Sequence, residues 1–157
     1  MKYNLYSKGD LDLKYIVTDL NGTLSIDGDV ITGVKERFKN LSNMGFEIYV
    51  ITGDIHGNAE KLLAGYNCKI HVVDIEEKQD TQVRQKQQLV ESLGVENVIA
   101  YGNGANDEFM LGTAAVGVHV AEQEGGSVKA LMKSDITVNS ILDGLDLLLF
   151  PKRIAGH

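Results

Sequence analysis

Apolar residues fall into short solid blocks separated by stretches in which they recur every three or four positions. The blocks predict buried strands at Lys14 to Asp19, Phe46 to Thr52, Lys69 to Val73, Asn97 to Tyr101, Ala115 to Val120 and Ile136 to Val138. Between them the helical spacing predicts crossover helices. Val34, Phe38 and Leu41 follow a capping Thr32 and end at Gly45; a short helix covers Asn58 to Tyr66; Val83, Val90 and Leu93 mark the inner face of a long polar helix over Glu76 to Leu93. Further helices are expected from about Asn106, over Ser127 to Met132 and over Ser140 to Phe150.

Strands that alternate with helices through most of a chain imply an α/β fold: a central parallel sheet covered on both faces, a Rossmann-like three-layer sandwich. With 157 residues and the one proline at 151, the chain reads as a single domain over 1–157. The exception to the alternation is Asn21 to Ile31, where Gly22, Gly28 and Gly33 surround short apolar alternations. That segment predicts a turn and a small β-hairpin, a flap.

Bulk chemistry narrows the function classes. A formal charge of −7 argues against nucleic acid, which needs a cationic face that releases counterions. Cys68 is the only cysteine, so neither a disulfide framework nor a thiolate metal cluster is available, and it reads as a small buried hydrophobe. The first residues lack the apolar run of a signal peptide, and the longest apolar stretch, Leu145 to Phe150, is too short to cross a bilayer. The expectation is a cytoplasmic protein with no membrane partner.

The chemistry is expected at the carboxyl ends of the strands, where an open parallel sheet presents its ligand crevice. The first core strand stops on Asp19 and turns at Asn21-Gly22. The second leaves through Thr52-Gly53-Asp54, and the fourth through Gly102-Asn103-Gly104-Ala105-Asn106-Asp107. Lys86 shares a helix face with Val90 and Leu93. Each has an ordinary reading: a turn residue for Asp19, a plain strand end for Thr52, a solvated charge for Lys86, a helix cap for Asn103 to Asp107. Together they supply a carboxylate nucleophile, a hydroxyl, an ammonium and oxygen ligands, which suit a phosphoryl group and a hard cation such as Mg²⁺.

Asp19-Leu-Asn-Gly-Thr-Leu24, Ile51-Thr-Gly-Asp54, Lys86 with Val90 and Leu93, and Gly102-Asn-Gly-Ala-Asn-Asp-Glu-Phe-Met-Leu111 resemble the four motifs of the haloacid dehalogenase superfamily of phosphatases. The nearest flavour is the phosphorylation domain of P-type ATPases and its small soluble relatives. The likeness runs on through Ala114 to Val118 and Ser134 to Val138, so the core motifs lie within 14–150. The resemblance implies that Asp19 attacks phosphorus and forms an aspartyl-phosphate. It implies phosphate contacts from Leu20, Thr52, Gly53, Lys86 and Asn106, and an Mg²⁺ held by Asp19, the main-chain carbonyl of Asn21, Asn103 and Asp107. Asp107 could instead fix Lys86.

Two carboxylates of the superfamily pattern are missing. Asn21 stands where most members have the Asp that protonates the leaving oxygen, and Asn103 stands at a metal-ligand Asp. Asparagine cannot exchange a proton at neutral pH, and losing such a group costs about 10²–10⁴ in rate. Slow turnover and weaker Mg²⁺ binding are expected. No stretch is long enough for a cap domain, so the site is expected to be open, covered by a neighbouring subunit of a homo-oligomer or accessible to a phosphorylated small molecule or phosphoprotein. Competing with the phosphatase reading are a non-catalytic phosphate-binding or regulatory module and a receiver-like phospho-acceptor. His56 reads as a surface loop residue, and the flap residues 25–30 offer only Asp27 and Asp29 as distinctive polar groups.

Overall fold

This computed structural model describes residues 1–54, 57–73 and 79–157. His56 and the expected helical residues Glu76 to Lys78 lie outside them. The chain opens with an antiparallel hairpin, β1 (Lys2–Leu5) and β2 (Gly9–Asp12), ahead of the first predicted strand. Then come β3 (Tyr15–Asp19), the flap strands β4 (Ser25–Ile26) and β5 (Asp29–Val30), and α1 (Val34–Asn43). Asp27 and Gly28 form the two-residue turn between β4 and β5, both with positive φ, as the tightest hairpin turns require.

The chain continues with β6 (Glu47–Thr52), α2 (Asn58–Leu62), β7 (Lys69–Val72), α3 (Gln79–Leu93) and β8 (Val98–Gly102). After a 3₁₀ turn at Ala105–Asp107 it runs through α4 (Glu108–Thr113), β9 (Val116–Val120), α5 (Val128–Lys133), β10 (Ile136–Val138), α6 (Ile141–Leu149) and α7 (Pro151–Ile154). Four expectations need correcting. Thr32 does not cap α1: the cap residue is Gly33, with no side-chain bond. Helix α2 stops at Leu62 rather than Tyr66, since the chain turns through 63–65. A tight 3₁₀ turn precedes α4 where one helix was expected. The last helix, expected over Ser140 to Phe150, ends at Leu149, and Pro151 starts a further helix, α7, because its fixed φ suits a first helical turn.

Six strands form one parallel sheet in the order β10-β9-β8-β3-β6-β7. Strand order reverses beside β3, which pairs with β6 on one side and β8 on the other. Side chains alternate between the faces with period two. Ile16, Ile48, Val50, Ile99 and Tyr101 pack with α1 and α6 through Phe38, Leu41, Leu145 and Leu148. Val17, Ile51, Val98 and Ala100 pack with α3, α4 and α5 through Val90, Met110, Leu111 and Ala130. The result is a three-layer sandwich, as the alternation predicted, and no cap domain occurs among the described residues. By the same alternation Asp19 points to the α3 side of the sheet, as Val17 does.

Candidate active site

The reversal beside β3 places three strand ends around one crevice. Asp19 ends β3, Thr52 ends β6, and Asn103 follows β8. In register, Asp19 is opposite Ile51, so Thr52 lies one residue beyond it on the next strand. Asp19, Leu20, Asn21, Thr52, Gly53, Lys86, Asn103 and Asn106 all line one cleft of about 950 Å³.

Lys86 is the pivot of the site. It lies one helical turn before Val90, on the face of α3 that packs onto the sheet, and is 1% exposed. Burying an ammonium is costly unless it is paired, and here it is paired twice. Its Nζ donates to Asp19 Oδ1 at 3.0 Å and to Asp107 Oδ1 at 2.7 Å. The reading of Lys86 as a solvated charge is thereby overturned. Burial works to lower its pKa, but the facing carboxylates of Asp19 and Asp107 outweigh it and hold the ammonium protonated.

Asp107 is wholly buried and pinned at both oxygens. Its Oδ2 accepts the main-chain N–H groups of Asn103 and Gly104, each at 3.0 Å, while Oδ1 takes Lys86. The approach depends on Gly102, where an added Cβ would lie 2.6 Å from the Asp107 Cγ. This contact with Lys86 is the one the second of its two readings expects. Asp19 keeps Oδ2 clear of Lys86 and faces the cleft. Burial, and then the charge of Asp107, push its carboxyl up to about 7 against the pull of Lys86.

Thr52 is buried, and its Oγ1 accepts the N–H of Asp54 at 3.2 Å. Asp54 Oδ2 in turn accepts the N–H of Ala59 at 2.9 Å, which anchors the start of α2. Asn21 and Asn106 are exposed at the cleft rim.

Asn103 joins three loops. Its Oδ1 accepts Thr23 Oγ1 at 3.2 Å, its Nδ2 donates to the Gly125 carbonyl at 3.3 Å, and its own carbonyl accepts the Ser127 N–H at 2.7 Å. Gly22, with φ 77°, passes so close that a Cβ there would fall 2.3 Å from Nδ2. Above this contact the flap and the loop after β9 meet, where Asp27 N–H donates to Glu124 Oε2 at 3.1 Å. The bond to Gly125 explains an amide at this position, since a carboxylate cannot donate. The loop 121–127 was not singled out from sequence, because it contributes mainly backbone groups.

Whether a cation suits this site follows from its donors. Among the described residues no three His, Cys, Asp or Glu side chains cluster to hold a metal. The available groups are oxygens: the Asp19 carboxylate, the Asn21 main chain and the Asn103 amide. Such a set fits Mg²⁺, which commonly takes one or two carboxylates and completes its shell with water and phosphate oxygens. It does not suit a soft metal.

No protein-family model matches the chain. Its fold matches that of a deoxy-D-mannose-octulosonate 8-phosphate phosphatase from Haemophilus influenzae in a cobalt-bound form, with TM-score 0.72, 14% identity and 90% of each chain covered. It also matches a 3-deoxy-D-manno-octulosonate 8-phosphate phosphatase from Moraxella catarrhalis bound to magnesium, phosphate and KDO, with TM-score 0.66, 17% identity and 88% and 87% of the two chains covered. The chain thus shares its fold with these two phosphatases.

Among sequences, a copper-exporting P-type ATPase of Staphylococcus aureus is 29% identical over 136 residues, which are 86% of this chain but 16% of the pump. The uncharacterized protein MJ0073 of Methanocaldococcus jannaschii is 42% identical over 82 residues, half of this chain and 88% of that protein. The chain belongs to one family with MJ0073.

Proposed function

We propose that this chain is an Mg²⁺-dependent phosphohydrolase that works through an aspartyl-phosphate on Asp19. The observation that carries the reading is the buried Lys86 held between Asp19 and Asp107 at the mouth of the crevice. A buried ammonium oriented by a second, wholly buried carboxylate stabilises charge on an attacking carboxylate and on the phosphoryl oxygens it meets, which is most of what phosphoryl transfer requires.

Asp19 Oδ2 bonds to phosphorus as the ester P–O bond breaks, and the departing oxygen takes a proton from water. Water then attacks the phosphorus of the acyl phosphate, inorganic phosphate leaves, and the Asp19 carboxylate returns. Thr52 and the main chain at Leu20 and Gly53 contact phosphoryl oxygens; Asn106 closes the rim. Asp19, Asn21 and Asn103 would hold the cation, which supplies positive charge against the phosphoryl oxygens. Asn21 hydrogen-bonds the leaving oxygen without exchanging a proton, so the intermediate persists.

The test is acid-quenched Mg²⁺ incubation with a labelled phosphate ester. Label is expected on Asp19, released by hydroxylamine and absent from Asp19→Asn. Asn21→Asp should speed turnover by about 10² or more. Unlabelled wild-type protein with an active Asn21→Asp variant would favour the alternative, a phosphate-binding module, which the two asparagines support. Activity undiminished in Asp19→Asn would refute both the nucleophile and the intermediate.

A further inference from the structure

The cleft is much larger than a phosphate. At about 950 Å³ it is at the upper end of small-molecule sites, so most of it receives the part of a substrate that does not react. The charge lining that outer part differs from the charge at the reacting corner. Lys86, buried between two carboxylates, has no attraction left for a distant group. Among the described residues, the other cation on the cleft wall is Lys61.

Three observations make Lys61 more than an ordinary surface lysine. It is exposed, and among the described residues no acidic side chain lies within ion-pair distance of it, although acids outnumber bases 22 to 15 in this chain. Its helix holds it in a defined direction: Asn58, Lys61 and Leu62, at i, i+3 and i+4, form the face that lines the cleft. On another face Ala59 and Leu63, 1% and 3% exposed, fix α2 to the core. Among the described residues the acid on the same wall, Asp54, has an oxygen committed to the Ala59 N–H. Across the cleft Gln82 adds an uncharged polar side chain.

We infer that Lys61, with Asn58 beside it, is the specificity-determining contact for a second anionic group on the substrate, so that the preferred substrate is a phosphate ester whose far end carries a carboxylate or another phosphate. This rests on the phosphohydrolase reading for the identity of the reacting group only. The two acids of the flap do not line the wall that would receive this group. Asp29 does not line the cleft, and Asp27 gives its N–H to Glu124 at the flap tip.

The experiment separates binding from chemistry by using the full chain with Asp19→Asn, which lacks the attacking carboxylate. Calorimetric titration with Mg²⁺ present compares alkyl monophosphates whose far end is a methyl, a carboxylate or a second phosphate, with the spacer lengthened stepwise. At one spacer length the anionic end should tighten Kd about fivefold over the methyl, as expected for one partly solvated charge contact. In Asp19→Asn/Lys61→Met that advantage should fall below about twofold; in Asp19→Asn/Lys61→Arg it should be kept, and rising salt should shrink it. The carboxylate and phosphate arms decide which anion is preferred. No advantage at any spacer length, or an advantage that survives Lys61→Met, overturns the inference. Hydrolysis by the wild type without the binding preference would sink this inference alone; the preference without hydrolysis would sink the phosphohydrolase reading alone.

Discussion

Two ion clusters tie distant parts of this chain together, and their charges are arranged in opposite ways. On the α1 side, Arg37 forks onto Asp146 of α6, Nε to Oδ1 at 2.8 Å and Nη2 to Oδ2 at 3.1 Å. Arg153 approaches the same carboxylate at 3.7 Å, so two cations share one acid. On the α3 side, one cation, Lys86, is shared by two acids. The α1 cluster is open to water, with Arg37 25% exposed, and its surplus positive charge is readily solvated. In the α3 cluster the cation is buried and Asp19 alone reaches the cleft, so the surplus negative charge there is met by a proton or an arriving cation. A cluster whose surplus charge water can solvate fastens helices; a buried one left short of positive charge is completed by what it binds.

The sharpest way to break this contrast is Lys86→Met. It should cost about 3–5 kcal/mol in denaturant unfolding, as expected when one partner of a buried charge cluster is removed, and abolish phospho-enzyme. Arg37→Met should cost less, about 1–2 kcal/mol, because Asp146 keeps Arg153 and water. It should leave labelling of Asp19 intact. Equal losses from the two substitutions would erase the distinction.

The smallest effect concerns His119 on β9, near the same strand ends. It is buried with Nδ1 3.0 Å from Thr137 Oγ1, and burial holds its pKa below the usual imidazole value. The unfolded chain then binds a proton that the folded one resists. The stability contributed by the neutral ring is present above about pH 6.5 and lost as pH falls, by up to about 1.4 kcal/mol per unit. Melting temperatures from pH 7 down to 5 should decline less in His119→Gln than in the wild type. Parallel profiles would show that burial of this ring has no part in acid sensitivity.

Much of this was legible in sequence, for identifiable reasons. The inner strands β3, β6, β8 and β9 are short apolar blocks, and parallel strands buried on both faces need such blocks. Lys86 was legible through Val90 and Leu93, since helical spacing fixes which side chains share a face. Asp19 and Thr52 were legible because strands deliver their last residue to the crevice. The junction at Asn103 was not, because its partners at Gly125 and Ser127 are main-chain groups that any residue carries. Nor was the Lys61 wall: a lone lysine on a five-residue helix has no pattern until the fold supplies the cleft. The hairpin of β1 and β2 was hidden by short strands of mixed character, with β2 exposed or half-buried throughout.

The order of the pieces along the chain bears on how the protein is made. Lys86 lies 67 residues after Asp19, and Asp107 another 21 beyond it. β3 pairs with β8, which begins only at Val98, so the central strand of the sheet waits for most of the polypeptide before its second neighbour exists. Long-range parallel pairing of this kind is slow to form. While the chain emerges from the ribosome, Asp19 is an ordinary, water-exposed aspartate. The buried setting of its carboxylate is a late property, acquired when the sheet closes around it, and a chain terminated before Lys86 would carry Asp19 without either of the charged groups that surround it in the fold.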